Sequence, residues 1–119
     1  MMMLPSSVRL YLAAKPTDMR NGFDGLAAEV RRFGLDPLSG HLFVFLSRRA
    51  DRAKLLWFER GGLVIWSKRL EQGRFRLPKT LPPGAAVSID PGQLAMLLDG
   101  VDFAGVRRSI RWQPVAPAF

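Results

Sequence analysis

The chain has 119 residues, a net charge of +8 and an apolar content of 48%, and it contains no cysteine. This profile predicts one globular domain with a substantial core and excludes disulfide frameworks, thiolate metal sites and cysteine nucleophiles. The longest apolar runs, such as residues 42–46, are too short to cross a bilayer, and residues 1–7 lack the pattern of a signal peptide. We therefore expect a cytoplasmic protein without a membrane partner.

The first third of the chain predicts a strand and then a helix. Residues 8–14 alternate in polarity, with Val8, Leu10 and Leu12 on one face of a strand. Asn21 is expected to cap the helix that follows, and Gly34 to lie just past its end. Asp24 is placed in its first turn, where a negative charge is favourable. The apolar side of this helix is expected to consist of Phe23, Leu26, Ala27 and Val30.

An antiparallel meander is predicted next. Residues 41–47 are apolar on both faces, which is typical of a central strand, and residues 53–59 and 63–69 are rich in aromatic or β-branched side chains. The "RGG" between the last two indicates a tight hairpin turn. The "EQG" at residues 71–73 predicts a second turn into a further strand, "RFRLP", which Pro78 ends.

The C-terminal third predicts a Pro/Gly-rich connector over residues 79–89 and a short helix over residues 90–100. Asp90 is the expected N-cap, Pro91 occupies the first helical position and Gln93 completes a capping box. The apolar stripe is Leu94, Leu97 and Leu98, and Gly100 ends the helix. The sequence thus predicts one α+β domain over residues 1–112, with a small, mainly antiparallel sheet in β-α-β-β-β order and a second short helix. Residues 113–119 are expected to be an extended or disordered tail.

The positive charge is concentrated in one part of the chain. Residues 48–79 hold ten Lys or Arg against three Asp or Glu, whereas the flanking parts are nearly neutral. A folded block of this kind presents a positive surface, which favours a polyanionic partner.

The predicted pairing of the strands gathers this charge into a basic rim around the meander. Phosphate contact with nucleic acid is one interpretation, and a solvated face that prevents aggregation or an acidic protein partner are the others. Trp57, Trp66 and Phe75 lie nearby and could stack on bases, although large aromatics more often belong to the core. The residues predicted to contact backbone phosphates are Arg48, Arg49, Arg52, Lys54, Lys68, Arg69, Arg74 and Arg76.

Other polar residues point to simpler roles. Arg20 either bridges Asp18 and Asp24 before the first helix or contacts a partner or a phosphate. His41 is the only histidine, so a metal site or a histidine-based triad is not expected, and no glycine-rich phosphate loop is present. We expect no cofactor, no small-molecule substrate and no catalytic residue.

Three stretches are similar to a known family: "TDMRNGFDGLA" at residues 17–27, the run from residue 43 to 78, and "LAMLLDGVDF" at residues 94–103. They resemble the TnpB, or Orf2-like, accessory proteins of bacterial insertion sequences of family sixty-six. The resemblance implies a role in transposition beside a separate, larger transposase that carries the cutting and joining chemistry.

We therefore predict a non-catalytic accessory factor for transposition whose basic meander contacts DNA at the ends of the insertion element. The alternative is a protein-interaction module that docks on the transposase or on a sister accessory protein without touching DNA. Its surface would be the second helix or an uncovered sheet edge. An enzyme would instead require an activity that depends on Asp18 or Asp24.

Overall fold

The computed structural model describes residues 6–77, 81 and 83–100. They form a five-stranded sheet and two helices, which confirms the predicted α+β class. The predicted tail at residues 113–119, the end of the domain at residue 112 and the stop at Pro78 lie outside these residues. The elements in chain order are β1 (Leu10–Ala13), α1 (Phe23–Arg32), β2 (Leu42–Leu46), β3 (Arg52–Glu59), β4 (Gly62–Arg69), β5 (Ala86–Ile89) and α2 (Pro91–Asp99).

The strand order is β4-β3-β2-β1-β5. β1 and β2 are parallel and are joined through α1, while the other three pairings are antiparallel. β2 lies in the centre, as its uniformly apolar sequence predicts, and all five of its residues are buried. β2 and β4 finish at the end of the sheet where β3 begins, since Leu46 is opposite Ala53 and Arg52 is opposite Arg69. We call this the basic end.

One helix covers each face of the sheet. On the α1 face, Leu26 and Val30 pack with Phe43, Phe45 and Leu56. The opposite face, which we call the α2 face, carries the alternate residues of the same strands. The α2-face cluster contains Leu42, Val44, Leu55 and Trp57 from the strands, Leu94, Leu97 and Leu98 from α2, and Phe75 from the segment after β4.

Helix α1 begins later than the sequence predicts. Its N-cap is Gly22, with no side-chain capping bond, so the assignment of Asn21 as the cap is wrong. Phe23, expected in the core, is 50% exposed, because the first helical turn extends past the edge of the apolar cluster. Asp24 does lie in the first turn, and Gly34 follows the helix end with a φ of 81°.

Helix α2 follows the prediction closely. The Asp90 side chain accepts a hydrogen bond from the Gln93 N–H, and the Gln93 side chain accepts one from the Asp90 N–H, which makes the predicted capping box. Gly100 ends the helix at a φ of 78°. A side chain there would meet Leu70, since a Cβ atom would lie 2.9 Å from a Leu70 methyl carbon.

The β3–β4 hairpin is closed by two residues, Arg60 and Gly61, with φ values of 50° and 83°. Positive φ at both positions is the type I′ geometry that matches the twist of a hairpin. The strand predicted to begin at Arg74 is wrong over its described residues: residues 75–77 have no regular secondary structure, and Arg74 forms only an isolated bridge.

The strand that the sequence does not predict is β5, which lies inside the predicted connector. Ala86–Ile89 pairs antiparallel with the far side of β1. Val87 and Ile89 have high strand propensity, but a four-residue segment next to a Pro- and Gly-rich run is too short a local signal to predict a strand. Within the described parts of the chain, no helix is long and apolar enough to span a membrane.

Candidate nucleic-acid interface

The turn between β2 and β3 presents Arg48 and Arg49 at the basic end. The Ser47 hydroxyl accepts a hydrogen bond from the Arg52 backbone N–H at 3.0 Å. The Ala50 N–H donates to the Ser47 carbonyl at 2.9 Å, and Ala50 adopts a left-handed φ of 58°. The turn is therefore fixed by its own hydrogen bonds, while both of its arginines are exposed.

The segment after β4 is fastened to the same turn. The Leu70 N–H donates to the Asp51 carbonyl at 2.8 Å, and the Phe75 N–H donates to the Ala50 carbonyl at 2.6 Å. The Asp51 carboxylate in turn accepts from the Ser47 hydroxyl at 3.1 Å. Main-chain hydrogen bonds thus hold residues 70–75 against the β2–β3 turn.

Phe75 acts as the anchor of this segment. Its side chain is only 3% exposed and belongs to the α2-face core. Arg74 and Arg76 flank it and are both exposed. The alternation that suggested a strand is real, but it serves to bury one aromatic ring beside the turn.

Arg52 and Arg69 are the last paired residues of β3 and β4 at the basic end. They are directly opposite in the β3–β4 register, so both side chains leave the sheet on the same face. The Arg69 Nε donates to Glu71 Oε2 at 3.0 Å in an exposed ion pair. Neither a hydrogen bond nor an ion pair joins the Arg52 guanidinium to any described residue.

The two predicted lysines of the rim have structural partners. Lys54 Nζ donates to the carbonyls of Met19 and Asn21, each at 2.8 Å, and so holds the loop before α1 against β3. Lys68 Nζ donates to the Leu98 carbonyl at 2.7 Å on the other face. A cation is favourable there because the last carbonyls of α2 carry partial negative charge. The structure therefore separates two anchored lysines from the exposed arginines.

The aromatic residues near the rim belong to the core. Trp57 is 7% exposed and lies, with Phe75, in the α2-face cluster, while Trp66 is partly buried against the same cluster. The core interpretation is thus confirmed for Trp57 and Phe75, whose stacking on bases would require the core to open, whereas Trp66 is only partly buried.

Arg20 lies in the loop before α1. Its Nη2 and Nε bind the Asp18 carboxylate at 2.7 and 3.1 Å, and its backbone N–H donates to Asp18 Oδ1 at 2.9 Å. These hydrogen bonds lower the pKa of Asp18 from 3.8 to about 2. No described contact links Arg20 to Asp24. The Arg20 side chain remains 91% exposed, so it could still meet a partner.

The acidic residues are dispersed. Asp18 is engaged by Arg20, and Asp36 accepts from the Leu38 N–H within a turn. Over the described ranges, no three His, Asp or Glu residues are close enough to hold a metal ion.

A groove of about 340 Å³ lies beside Arg52 and Arg69 and was not anticipated from the sequence. Its contributors from the α1 face are Arg52, Lys54, Ser67, Arg69 and the loop residue Met19. The sequence could have indicated the groove. A two-residue turn at Arg60 and Gly61 sets the register of the hairpin, and that register places these strand residues side by side.

One family profile and two curated relatives match this chain. The profile described as IS66 Orf2 like protein matches residues 8–108. An uncharacterized protein of Sinorhizobium fredii, y4hO, is 41% identical over 115 residues, covering 94% of this chain and 96% of the relative. A second from the same organism, y4jC, is 34% identical over 102 residues, covering 85% and 86%. No solved structure matches the chain at a significant level.

The profile covers the strands, both helices and the whole basic region. Family membership implies a transposition-associated accessory protein, as the resemblance of the three sequence stretches also implied. This chain belongs to the IS66 Orf2-like family of insertion-sequence proteins.

Proposed function

We propose that this protein is a non-catalytic accessory factor of transposition that contacts the DNA backbone with the arginines of the basic end. The observation that carries the proposal is the exposure of five arginines around one fixed turn. These arginines are Arg48, Arg49, Arg52, Arg69 and Arg74. We call them the arginine rim. Arg76 is also exposed, but it follows Phe75, whose N–H is bonded to the turn, and we do not count it among them.

The rigidity of the rim supports phosphate binding. The turn and the segment after β4 are joined by main-chain hydrogen bonds, so the backbone that carries the arginines is fixed and loses less freedom on binding. Arginine is also the side chain best suited to phosphate, because its planar guanidinium donates in a fork. Contacts of this kind position a protein on DNA without reading its sequence.

A non-catalytic role is supported by the polar chemistry. The described residues include no buried polar or charged side chain. The carboxylate with the most perturbed environment, Asp18, has its pKa lowered by an arginine, so it remains ionised and is a poor base at neutral pH.

A second candidate is a docking module for the transposase or a sister accessory protein, and β4 favours it. This strand of eight residues pairs with β3 on one side and, among the described residues, with no strand on the other. Its central side chains, Leu63 to Trp66, are only half-buried. An open edge of this length can accept a strand from another chain.

The test compares two triple variants with the same loss of charge. One replaces Arg48, Arg49 and Arg74 with Gln, and the other replaces Arg9, Arg31 and Arg60 with Gln. The second set is exposed at the opposite end of the sheet: Arg9 precedes β1, Arg31 lies in the last turn of α1, and Arg60 lies in the hairpin turn.

Binding to a fluorescent duplex from the element's terminal repeat and to a scrambled duplex is measured by anisotropy at low salt. We expect the rim variant to lose affinity for both duplexes equally, and the control to keep nearly all of its affinity. Equal losses in the two variants would contradict the rim as the contact surface. Absence of wild-type binding, together with a transposase pull-down that survives high salt, would favour the docking module.

A further inference from the structure

The groove beside Arg52 and Arg69 has an unusual charge distribution. The side chains that line it from the α1 face bring three cations, one hydroxyl and a thioether, and none of the described lining residues is acidic. Asp18, the residue before the lining residue Met19, is ion-paired with Arg20. The groove therefore has a net positive interior with hydrogen-bond donors on two strands.

The position of Arg52 opposite Arg69 sharpens this feature. The Leu70 N–H donates to the Asp51 carbonyl, so residues 51 and 70 form a hydrogen-bonded pair. Hydrogen-bonded and non-hydrogen-bonded pairs alternate in an antiparallel ladder, so 52 and 69 form a non-hydrogen-bonded pair, where side chains are closest. Like charges directly opposite destabilise a sheet. An anion shared by both guanidinium groups would reverse that repulsion.

The neighbouring polar groups suit the same anion. Lys54 uses two of its three ammonium donors on the carbonyls of Met19 and Asn21, and its charge is half-buried beside the groove. Ser67 is directly opposite Lys54 in the register and is exposed on the same face, so its hydroxyl is available as a donor.

Glu71 lies outside the groove lining but engages one of its two arginines. Its carboxylate accepts from Arg69 Nε, and both side chains are mostly exposed, so the ion pair is weak. A carboxylate offers arginine the same pair of oxygens that a phosphate offers. Glu71 is therefore placed to occupy Arg69 in the free protein and to leave when a phosphate arrives.

We propose that Arg52 and Arg69 clamp a single DNA backbone phosphate over the groove, with Ser67 as an additional donor and Glu71 as an internal competitor. This assignment rests on the proposed function, because the phosphate belongs to DNA. The clamp also fixes the number of phosphates that the arginine rim neutralises. Arg52 and Arg69 share one phosphate, and each of the other three rim arginines binds one of its own.

The stoichiometry can be measured from the salt dependence of duplex binding. Each neutralised phosphate contributes about −0.9 to the slope of log affinity against log salt. If the phosphate is shared, R52Q and R69Q each weaken binding but leave the slope nearly unchanged, whereas the double variant makes it less negative by about 0.9. If each arginine binds its own phosphate, the slope becomes less negative by about 0.9 in each single variant and by about 1.8 in the double variant. R9Q is the control.

The role of Glu71 is tested by a double-mutant cycle. We expect E71Q to bind duplex DNA about two- to fivefold more tightly, the range that corresponds to an exposed ion pair. In the R69Q background that gain should fall to the level given by E59Q, which removes an acid at the opposite end of the hairpin. An equal gain in both backgrounds would show a general charge effect and would overturn the competitor role.

Two ligands separate the possible sources of phosphate. The Nε–Hε resonances of Arg52 and Arg69 are followed by 15N NMR during titration with duplex DNA and with inorganic phosphate. Shifts of both with DNA, and only weak millimolar shifts with phosphate, support the clamp. Tight binding of inorganic phosphate without DNA binding would overturn it in favour of a free-phosphate site. Wild-type DNA binding with an unchanged slope in the double variant would overturn the clamp and leave the proposed function standing.

Discussion

Lys54 is the residue of the basic region whose replacement we expect to damage the fold most. Its ammonium group joins β3 to the loop before α1 through the carbonyls of Met19 and Asn21, residues 35 and 33 positions away in sequence. Lys54→Met keeps a stem of similar length for packing and removes all three donors. The substitution therefore isolates the two hydrogen bonds.

The expected loss follows from the geometry. A hydrogen bond from a charged donor contributes about 1.5–3 kcal/mol, and the lower figure applies because water can reach a half-buried site. Two such bonds give about 3 kcal/mol, and release of a partly desolvated ammonium returns about 1 kcal/mol. We expect the free energy of unfolding to fall by about 2 kcal/mol, which for a domain of this size lowers the Tm by roughly 8 °C.

Urea denaturation followed by far-UV circular dichroism and tryptophan fluorescence measures this loss. Arg48→Met is the matched control, because it also removes one cation from the basic end, but from an exposed position in the turn. The control should stay within about 0.5 kcal/mol of the wild type. If Lys54→Met is equally harmless and instead weakens DNA binding, Lys54 is a phosphate contact and not an anchor, and our reasoning is refuted.

Three further predictions concern charge and backbone conformation. Arg52→Gln should raise the free energy of unfolding by about 0.2–1 kcal/mol in chemical denaturation, since it removes the like-charge pair with Arg69; a loss would contradict that account. Arg60→Asn should also stabilise the protein, by up to about 1 kcal/mol, because asparagine adopts the φ of 50° more readily. The Asp18 carboxyl should titrate near pH 2 by NMR, and Arg20→Gln should move the midpoint back toward 3.8. Because the folded pKa is the lower one, the stabilising contact with Arg20 is complete above pH 3.8 and is lost as the pH falls toward 2.

The sequence predicted those elements that local signals determine. The capping box of α2, the tight hairpin turn within "RGG" and the apolar central strand each depend on residues close in sequence, and each is present. Leu26, Ala27 and Val30 are buried as their helical spacing indicates. These elements could be predicted from the sequence because their local pattern and their packing agree.

The features that the sequence did not predict depend on long-range contacts. Residues 74–77 alternate as a strand would, but their main chain binds the β2–β3 turn and not β4. β5 pairs with β1, more than 70 positions earlier, and no local pattern announces that partner. Long-range contacts also decide the roles of the basic residues. By charge alone, Lys54 and Lys68 cannot be distinguished from the arginines. Only their bonds to Met19, Asn21 and Leu98 separate them.

The salt dependence of duplex binding by the wild-type protein tests the central claim most directly. With Arg48, Arg49 and Arg74 each on one phosphate and Arg52 and Arg69 sharing another, four phosphates are neutralised, and the slope of log affinity against log salt should be roughly −3.6. The terminal-repeat and scrambled duplexes should give the same slope. A slope near zero, or no binding at low salt, would contradict DNA contact through the arginine rim.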